Sequence, residues 1–245
     1  MAPSAIEEPS TVTTFEAKGA PPVDKLKTVM VNTEGLKYPE YYPYNDPNDV
    51  FPEPEPFEYH DRALDADPAM PVFYNDHVKI EELTPYIGVR VTGLDLASLD
   101  KAGQDQLALL CAKKGIVFFG SDEKVKQTFR DVSLKKKLDM VRYYGQLHQH
   151  AVQPRPPEST EISVVYQDNM NTVRSDAPSG GDTLVGSLVE AYERLSPPMK
   201  QFLCGLRAVH SSKVMTAKAA RVGGASRRKE VESTHPVVYE QPVSA

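Results

Sequence analysis

Cysteine is scarce in this chain, with Cys111 and Cys204 the only two. Each falls inside an apolar, helix-spaced pattern, so both are expected to be reduced and buried rather than joined as a disulfide or zinc pair. A cytosolic compartment fits that usage. Long hydrophobic runs are missing as well. No stretch approaches the roughly 18 apolar residues that cross a bilayer, and the first 30 residues lack the apolar centre of a secretory signal. The expectation is a soluble protein with no membrane partner. Basic charge is also in short supply, at a net charge of -6 and a pI near 5.6. Counterion release from nucleic acid needs clustered Lys and Arg, so no nucleic-acid partner is expected. The run Lys135, Lys136 and Lys137 is interleaved with apolar residues and reads as a solvated helix face.

Proline, by contrast, is abundant and unevenly placed, with 12 of 21 before residue 76. Proline removes a backbone donor and biases the preceding residue toward extended conformations. The run from Tyr38 to Tyr59 should therefore form no regular core element, yet its Tyr and Phe content is too apolar for a linker. Residues 1–76 are expected to be an irregular extension lying along the surface of a domain behind it.

Organised structure is expected to begin near Val78. Ile87, Val89 and Val91 alternate between Gly88 and Gly93, which reads as a strand closing in a turn. Ser98 is placed to cap a helix carrying Leu107, Leu110 and Cys111 on one face and ending at Gly115, and Ile116 to Phe119 reads as a strand buried on both faces. Ser133 opens a second helix with Leu134, Leu138, Val141 and Tyr144 on its stripe, closed by Gly145. Ile162 to Tyr166 reads as a strand, GGDTLVGSL as turn, strand and turn, and Leu188 to Leu195 as a short helix. Ser196 and Pro197 open a helix with Met199, Phe202, Leu203, Leu206 and Val209 recurring as core. Arg221 to Lys229 turns to Gly, Ser and Arg and suggests a mobile loop. The segment from His235 to Val238 reads as a strand that would leave a sheet edge unpaired.

Four segments, in order, carry a resemblance. TPYIGVRVTGLDL with its helix and GIVFF, then YYGQLHQH, then SGGDTLVGSLVEAYERLSPPMKQFLCGLRAVHS, then THPVVYEQPVSA together resemble the TauD/TfdA family of taurine dioxygenase-like proteins, most closely its fungal sulfonate dioxygenase-like branch. They cover residues 78 to 245. The resemblance implies an α+β protein built on a double-stranded β-helix, or jelly roll, with flanking helices. Here it would be incomplete: a partial domain over 77–245, with a segment missing near 174–178 and closing strands missing after 245.

The family uses Fe(II) and 2-oxoglutarate. Two His and one carboxylate hold the iron and leave open positions for 2-oxoglutarate and O2. The first two ligands come from a W-H-x-D motif on a strand, where residues i and i+2 share a face and so reach one metal. At the matching place this chain has Arg174, Ser175 and Asp176. Arginine is cationic and has no lone pair to offer, so Asp176 alone keeps a donor. The family's Thr and Arg that contact 2-oxoglutarate have no counterpart either. The expectation is a chain without catalytic, cofactor-binding or metal residues, inactive as a dioxygenase.

By the same resemblance His150 matches a His that contacts the substrate's sulfonate, which implies a small anionic ligand; the alternative is a His that satisfies nearby backbone groups. The Tyr three residues further on in the family is Gln153 here. His148 and His150 also have the spacing with which a His-x-His pair binds zinc or copper. His210 and His235 resemble framework positions. Two classes of function remain in view: a sulfonate-type dioxygenase by ancestry, or a non-catalytic binding module, alone or as the oligomeric partner of a full-length relative.

Overall fold

The computed structural model describes residues 43, 48–119, 132–164, 183–221, 224 and 226–243. Within them lie helices and two small sheets. No described helix is long and apolar enough to cross a membrane.

The first sheet has the order β1-β2-β3, with β1 Lys79–Glu82, β2 Val89–Thr92 and β3 Val117–Phe119. Strands β1 and β2 pair antiparallel, Ile80 opposite Val91 and Glu82 opposite Val89. The hairpin turn is organised by Thr84, whose Oγ1 donates to the Ile87 carbonyl at 2.6 Å and accepts from the Ile87 amide at 2.9 Å. Strands β2 and β3 pair parallel, Val89 opposite Val117. A parallel pair needs a crossover of a dozen or so residues, supplied by helix α1, Lys101–Lys114.

Period-two alternation on β2 turns Val89 and Val91 inward, 0% and 1% exposed, and leaves Arg90 outside beside Glu81. The two valines join Ala63, Met70, Phe73, Leu109 and Leu110 in one apolar cluster. Each large side chain buried this way contributes about 1.5–3 kcal/mol. Organised structure therefore starts before the expected Val78: a 3-10 turn at Arg62–Asp65, capped by Asp61, delivers Ala63 to the core, and Met70 and Phe73 follow.

Several expectations are corrected in this region. Ser98 ends a 3-10 turn, Leu96–Ser98, and Asp100 caps α1 instead, its Oδ1 accepting from the Gly103 amide at 2.8 Å. Gly115 closes α1 as expected, at φ 72°. Cys111 is exposed rather than buried, because Leu109 and Leu110 face the core and Cys111 is turned about 100° further round the helix. Strand β3 lies at a sheet edge, not between two covered faces, and Phe118 is 44% exposed.

Helix α2, Leu134–Tyr144, runs from the Ser133 cap to Gly145 as expected. Its inward contacts are polar. Tyr143 donates to Asp105 Oδ1 at 2.8 Å and Tyr144 to the Gln104 carbonyl at 3.1 Å, while Val141 is exposed. Those bonds satisfy buried polar groups on α1; Gln106, buried beside them, accepts from the Val72 amide at 2.9 Å. Ile162–Val164 is irregular where a strand was expected, and residues 165 and 166 lie outside the described residues.

The last part contains α3 Leu188–Glu193, α4 Pro197–Cys204, β4 Arg207–Ser211, α5 Lys213–Arg221 and β5 Glu232–Pro236. Thr183–Ser187 forms no strand. Helix α4 stops at Cys204 with Gly205 as its cap, so Leu206 and Val209 leave the expected stripe and Val209 enters β4. That stripe is not core either, with Phe202 and Val209 both 62% exposed, and Cys204 is exposed too. The strand expected at His235 begins earlier and does find a partner: β5 pairs antiparallel with β4, Ala208 opposite His235 and His210 opposite Ser233. Of the expected mobile loop from Arg221 to Lys229 only Arg221 falls in α5, and Arg227 is 1% exposed and held by hydrogen bonds.

Candidate functional site

The segment after α2 carries the sequence-predicted His148 and His150 in irregular backbone. The His150 Nδ1 accepts from the backbone amides of Gln153 at 3.1 Å and Val152 at 3.3 Å. An imidazole nitrogen that accepts carries no proton, which leaves Nε2–H as the donor of a neutral ring. Burial holds the His150 pKa below its ordinary value, and the neighbouring His148 and the Arg227 cation act in the same direction. The two rings lie edge to face, centroids 6.1 Å apart.

A second, sequence-distant layer surrounds this loop. Arg227 donates from Nη1 to the Gln153 carbonyl at 2.9 Å and from its amide to the Ala151 carbonyl at 2.9 Å. Asp49 Oδ2 accepts from Arg155 Nη2 at 2.7 Å and Nε at 3.0 Å, and lies 3.4 Å from Arg227 Nε. Arg155 also donates from Nη1 to the carbonyls of Pro156 and Pro157, both at 3.1 Å. Phe51 packs under the Arg227 guanidinium at 5.8 Å. Sequence reasoning found none of Asp49, Arg155 and Arg227, because their association spans up to 178 positions and leaves no local pattern.

The other singled-out residues do not converge here. His210 and His235 face each other across β4 and β5, centroids 5.4 Å apart, on an exposed ribbon where His235 Nε2 lies 3.0 Å from Ser233 Oγ. Arg174, Ser175 and Asp176 lie outside the described residues. Among the described residues no group of three His, Cys, Asp or Glu side chains is placed to hold a metal ion. A depression of about 400 Å³ lined by Phe73, Tyr74, Asn75, Asp76, Val78 and Ile80 contains none of the candidate site residues named from the sequence.

A strand, crossover helix and parallel strand leading to a His-x-His loop, followed by paired helices and an H-P strand, keep the order that carried the resemblance. The family model for the taurine catabolism dioxygenase TauD, TfdA family matches residues 170–245, and this part of the chain is similar to that family. Its relatives are fungal 2-oxoglutarate-dependent (alpha-ketoglutarate-dependent) dioxygenases. The chain is 32% identical to the alpha-ketoglutarate-dependent sulfonate dioxygenase of Saccharomyces cerevisiae, an alignment covering 91% of this chain and 61% of that protein. It is 30% identical to the alpha-ketoglutarate-dependent dioxygenase cnsP of Penicillium expansum, over 84% of this chain and 64% of the relative. It is 28% identical to cnsM of the same fungus, over 87% and 68%. The chain thus spans a little over 60% of the length of the first two relatives.

Proposed function

We propose that this chain is a non-catalytic member of the 2-oxoglutarate-dependent dioxygenase family that keeps one small-anion contact, at His150. The observation that carries the reading is the triplet Arg174, Ser175 and Asp176, which the sequence resemblance sets at the family's His-x-Asp. A guanidinium cannot ligate Fe(II), and its charge opposes a cation beside it. The residues present do not fit the iron, so no oxidation step is assigned to them. The jelly-roll architecture of the family, with a domain that begins ahead of Ala63 rather than at residue 77, belongs to the same proposal.

The anion contact is supported by the ring geometry. With Nδ1 occupied by two backbone amides, His150 has Nε2–H left to donate to a sulfonate-like oxygen. The backbone-satisfying role and the anion-facing role use different nitrogens and are compatible.

Two measurements test the proposal on the full chain. Anaerobic titration with Fe(II) should show no stoichiometric binding, and incubation with Fe(II), 2-oxoglutarate, O2 and taurine should release succinate no faster than a protein-free control. One equivalent of iron with catalytic succinate release overturns it. Titration with taurine or inorganic sulfate should shift the His150 ring resonances; a silent His150 removes the anion contact.

A second reading, as partner of a full-length relative, is favoured by the exposed Leu184, Leu188 and Phe202, at 93%, 86% and 62%. Surfaces this apolar mark interaction sites in soluble proteins. Co-expression with a full-length fungal relative, followed by size-exclusion chromatography, should yield a mixed species; separate elution sinks that reading.

A further inference from the structure

Residues 48–53 run through the most tightly held charge cluster of the described chain, in a segment whose prolines leave few backbone donors. Pro52, Pro54 and Pro56 cannot donate to a ladder, so this stretch cannot be held as a strand. It is held by two carboxylates, Asp49 and the more exposed Glu53 beside Lys229, together with the Phe51 ring and amide and the Pro52 carbonyl. Asp49 Oδ2 receives Arg155 and lies against Arg227; the Phe51 amide donates to the Arg227 carbonyl at 2.6 Å; Pro52 accepts from Arg228 Nε at 2.8 Å. The side chains of Arg227, Arg155 and Asp49 are 0%, 11% and 20% exposed. Charges this sheltered are costly to separate, since a partner left alone in a dry site loses far more than an exposed pair would.

The partners of this segment are the residues that shape the His150 loop. Arg227 binds both the Ala151 and Gln153 carbonyls, and the Gln153 amide is one of the two that fix His150 Nδ1. The chain of contacts runs Asp49 to Arg227 to Gln153 to His150, with Arg155 bracing Asp49 from the other side of the loop.

We infer that Asp49 is a positioning residue, and that the proline-rich segment is a strap that orders the His150 loop from outside it. Residues 48–53 are then part of the site's architecture. Only the further step, that a loosened strap weakens anion binding, rests on the proposed role of His150.

Hydrogen exchange on the full chain, followed by NMR, tests the strap without any ligand. In Asp49→Ala the amides of Phe51, Val152, Gln153 and Arg227 should exchange about tenfold faster or more, which corresponds to about 1.4 kcal/mol of lost local protection, while Leu109 and Leu110 of α1 stay unchanged. Asp49→Asn keeps an acceptor and loses the charge, and should fall between. The His150 nitrogen spectrum should move from one dominant tautomer to a mixture. Unchanged exchange at the four amides overturns the inference, and so does an equal rise in α1 for Asp49→Asn, which would mark general destabilisation. If Asp49→Ala does not fold, Arg228→Ala decides, because it removes the Pro52 contact at a half-buried residue outside the Asp49 cluster: faster exchange confined to Phe51 and Arg227 supports the strap, and no change sinks it. Weaker taurine binding in Asp49→Asn with a loosened loop would extend the inference to the anion; a loosened loop with unaltered binding would leave the strap standing and remove only that step.

Discussion

The stretch from Ala63 to Phe119 and the stretch from Leu184 to Tyr239 both contain capped helices and paired strands, yet only the first has a core. In the first, seven buried apolar side chains form one cluster. In the second, 13 large apolar residues are exposed, and among the described residues the only buried side chains are Thr216 and Arg227. Local rules operate in both: Ser187 caps α3 by accepting from the Glu190 amide at 3.1 Å, as Asp100 caps α1, although Ser196 makes no such bond at the start of α4. The difference teaches that caps and ladders define elements, whereas burial requires elements that arrive from elsewhere in the chain. In the first region that element is the stretch carrying Ala63, Met70 and Phe73. Nothing among the described residues plays that part for β4 and β5.

The contrast is broken most sharply by paired truncations. Phe73→Ala should cost about 3–5 kcal/mol, the usual loss for a fully buried phenylalanine, whereas Phe202→Ala should change stability by no more than about 0.5 kcal/mol. Urea denaturation read by far-UV dichroism checks both. Equal losses would mean that the second region is packed in solution against a partner surface.

Next in size is Gly93, at φ 85°, which ends β2. A Cβ there would collide with the His77 carbonyl oxygen. Gly93→Ala combines left-handed backbone strain with that collision and should cost on the order of 3 kcal/mol. Gly186, around which a Cβ meets nothing within 4 Å, supplies the matching control in the second region, and Gly186→Ala should be close to neutral in the same denaturation series.

A smaller effect is expected at the α1–α2 junction. Tyr143→Phe takes the donor from Asp105 Oδ1 and should cost about 1–2 kcal/mol. Burial and then the hydrogen bond to Asp105 push the Tyr143 pKa up, and burial does the same for Tyr144. A folded pKa above the unfolded value of about 10 means stability that is complete below pH 10 and lost as pH rises through the folded value. An alkaline denaturation series should therefore steepen above pH 10, and less so in Tyr143→Phe.

How much of this was legible in the sequence follows the same division. The strand and turn at Val89–Gly93, the end of α1 at Gly115 and all of α2 from Ser133 to Gly145 were readable because each signal is local: alternation, a left-handed glycine, a hydroxyl cap. Helix α4 was overextended because Leu206 and Val209 kept helical spacing past Gly205, and the pairing of β4 with β5 overrode it. Helix α5 was missed, since Lys213–Arg221 has small and basic residues and buries only Thr216. At the site, His150 was named from its motif, but Asp49, Arg155 and Arg227 were invisible. Charged residues at positions 49, 155 and 227 share no period, and an arginine in a Gly/Ser-rich stretch reads as solvated until the fold shows it 1% exposed.

The smallest expected effect is the pH response of the His150 loop, the element that joins the two regions. His150 accepts two amides at Nδ1, and protonating that nitrogen would cancel both bonds and place a cation near Arg227, with His148 alongside and Asp49 already engaged by Arg155 and Arg227. Burial, His148 and Arg227 all favour the neutral ring, so the folded pKa lies below the unfolded value of about 6.5. A depressed histidine binds its proton more weakly folded than unfolded, so its contribution is complete above pH 6.5 and is lost as pH falls through the folded value. The denaturation midpoint should therefore drop on going from pH 7 toward pH 5, with amide exchange at Val152 and Gln153 rising over the same range. His150→Gln should flatten that part of the profile. A wild-type midpoint that is level or rises on acidification would show that the ring is not held neutral by the strap and loop around it.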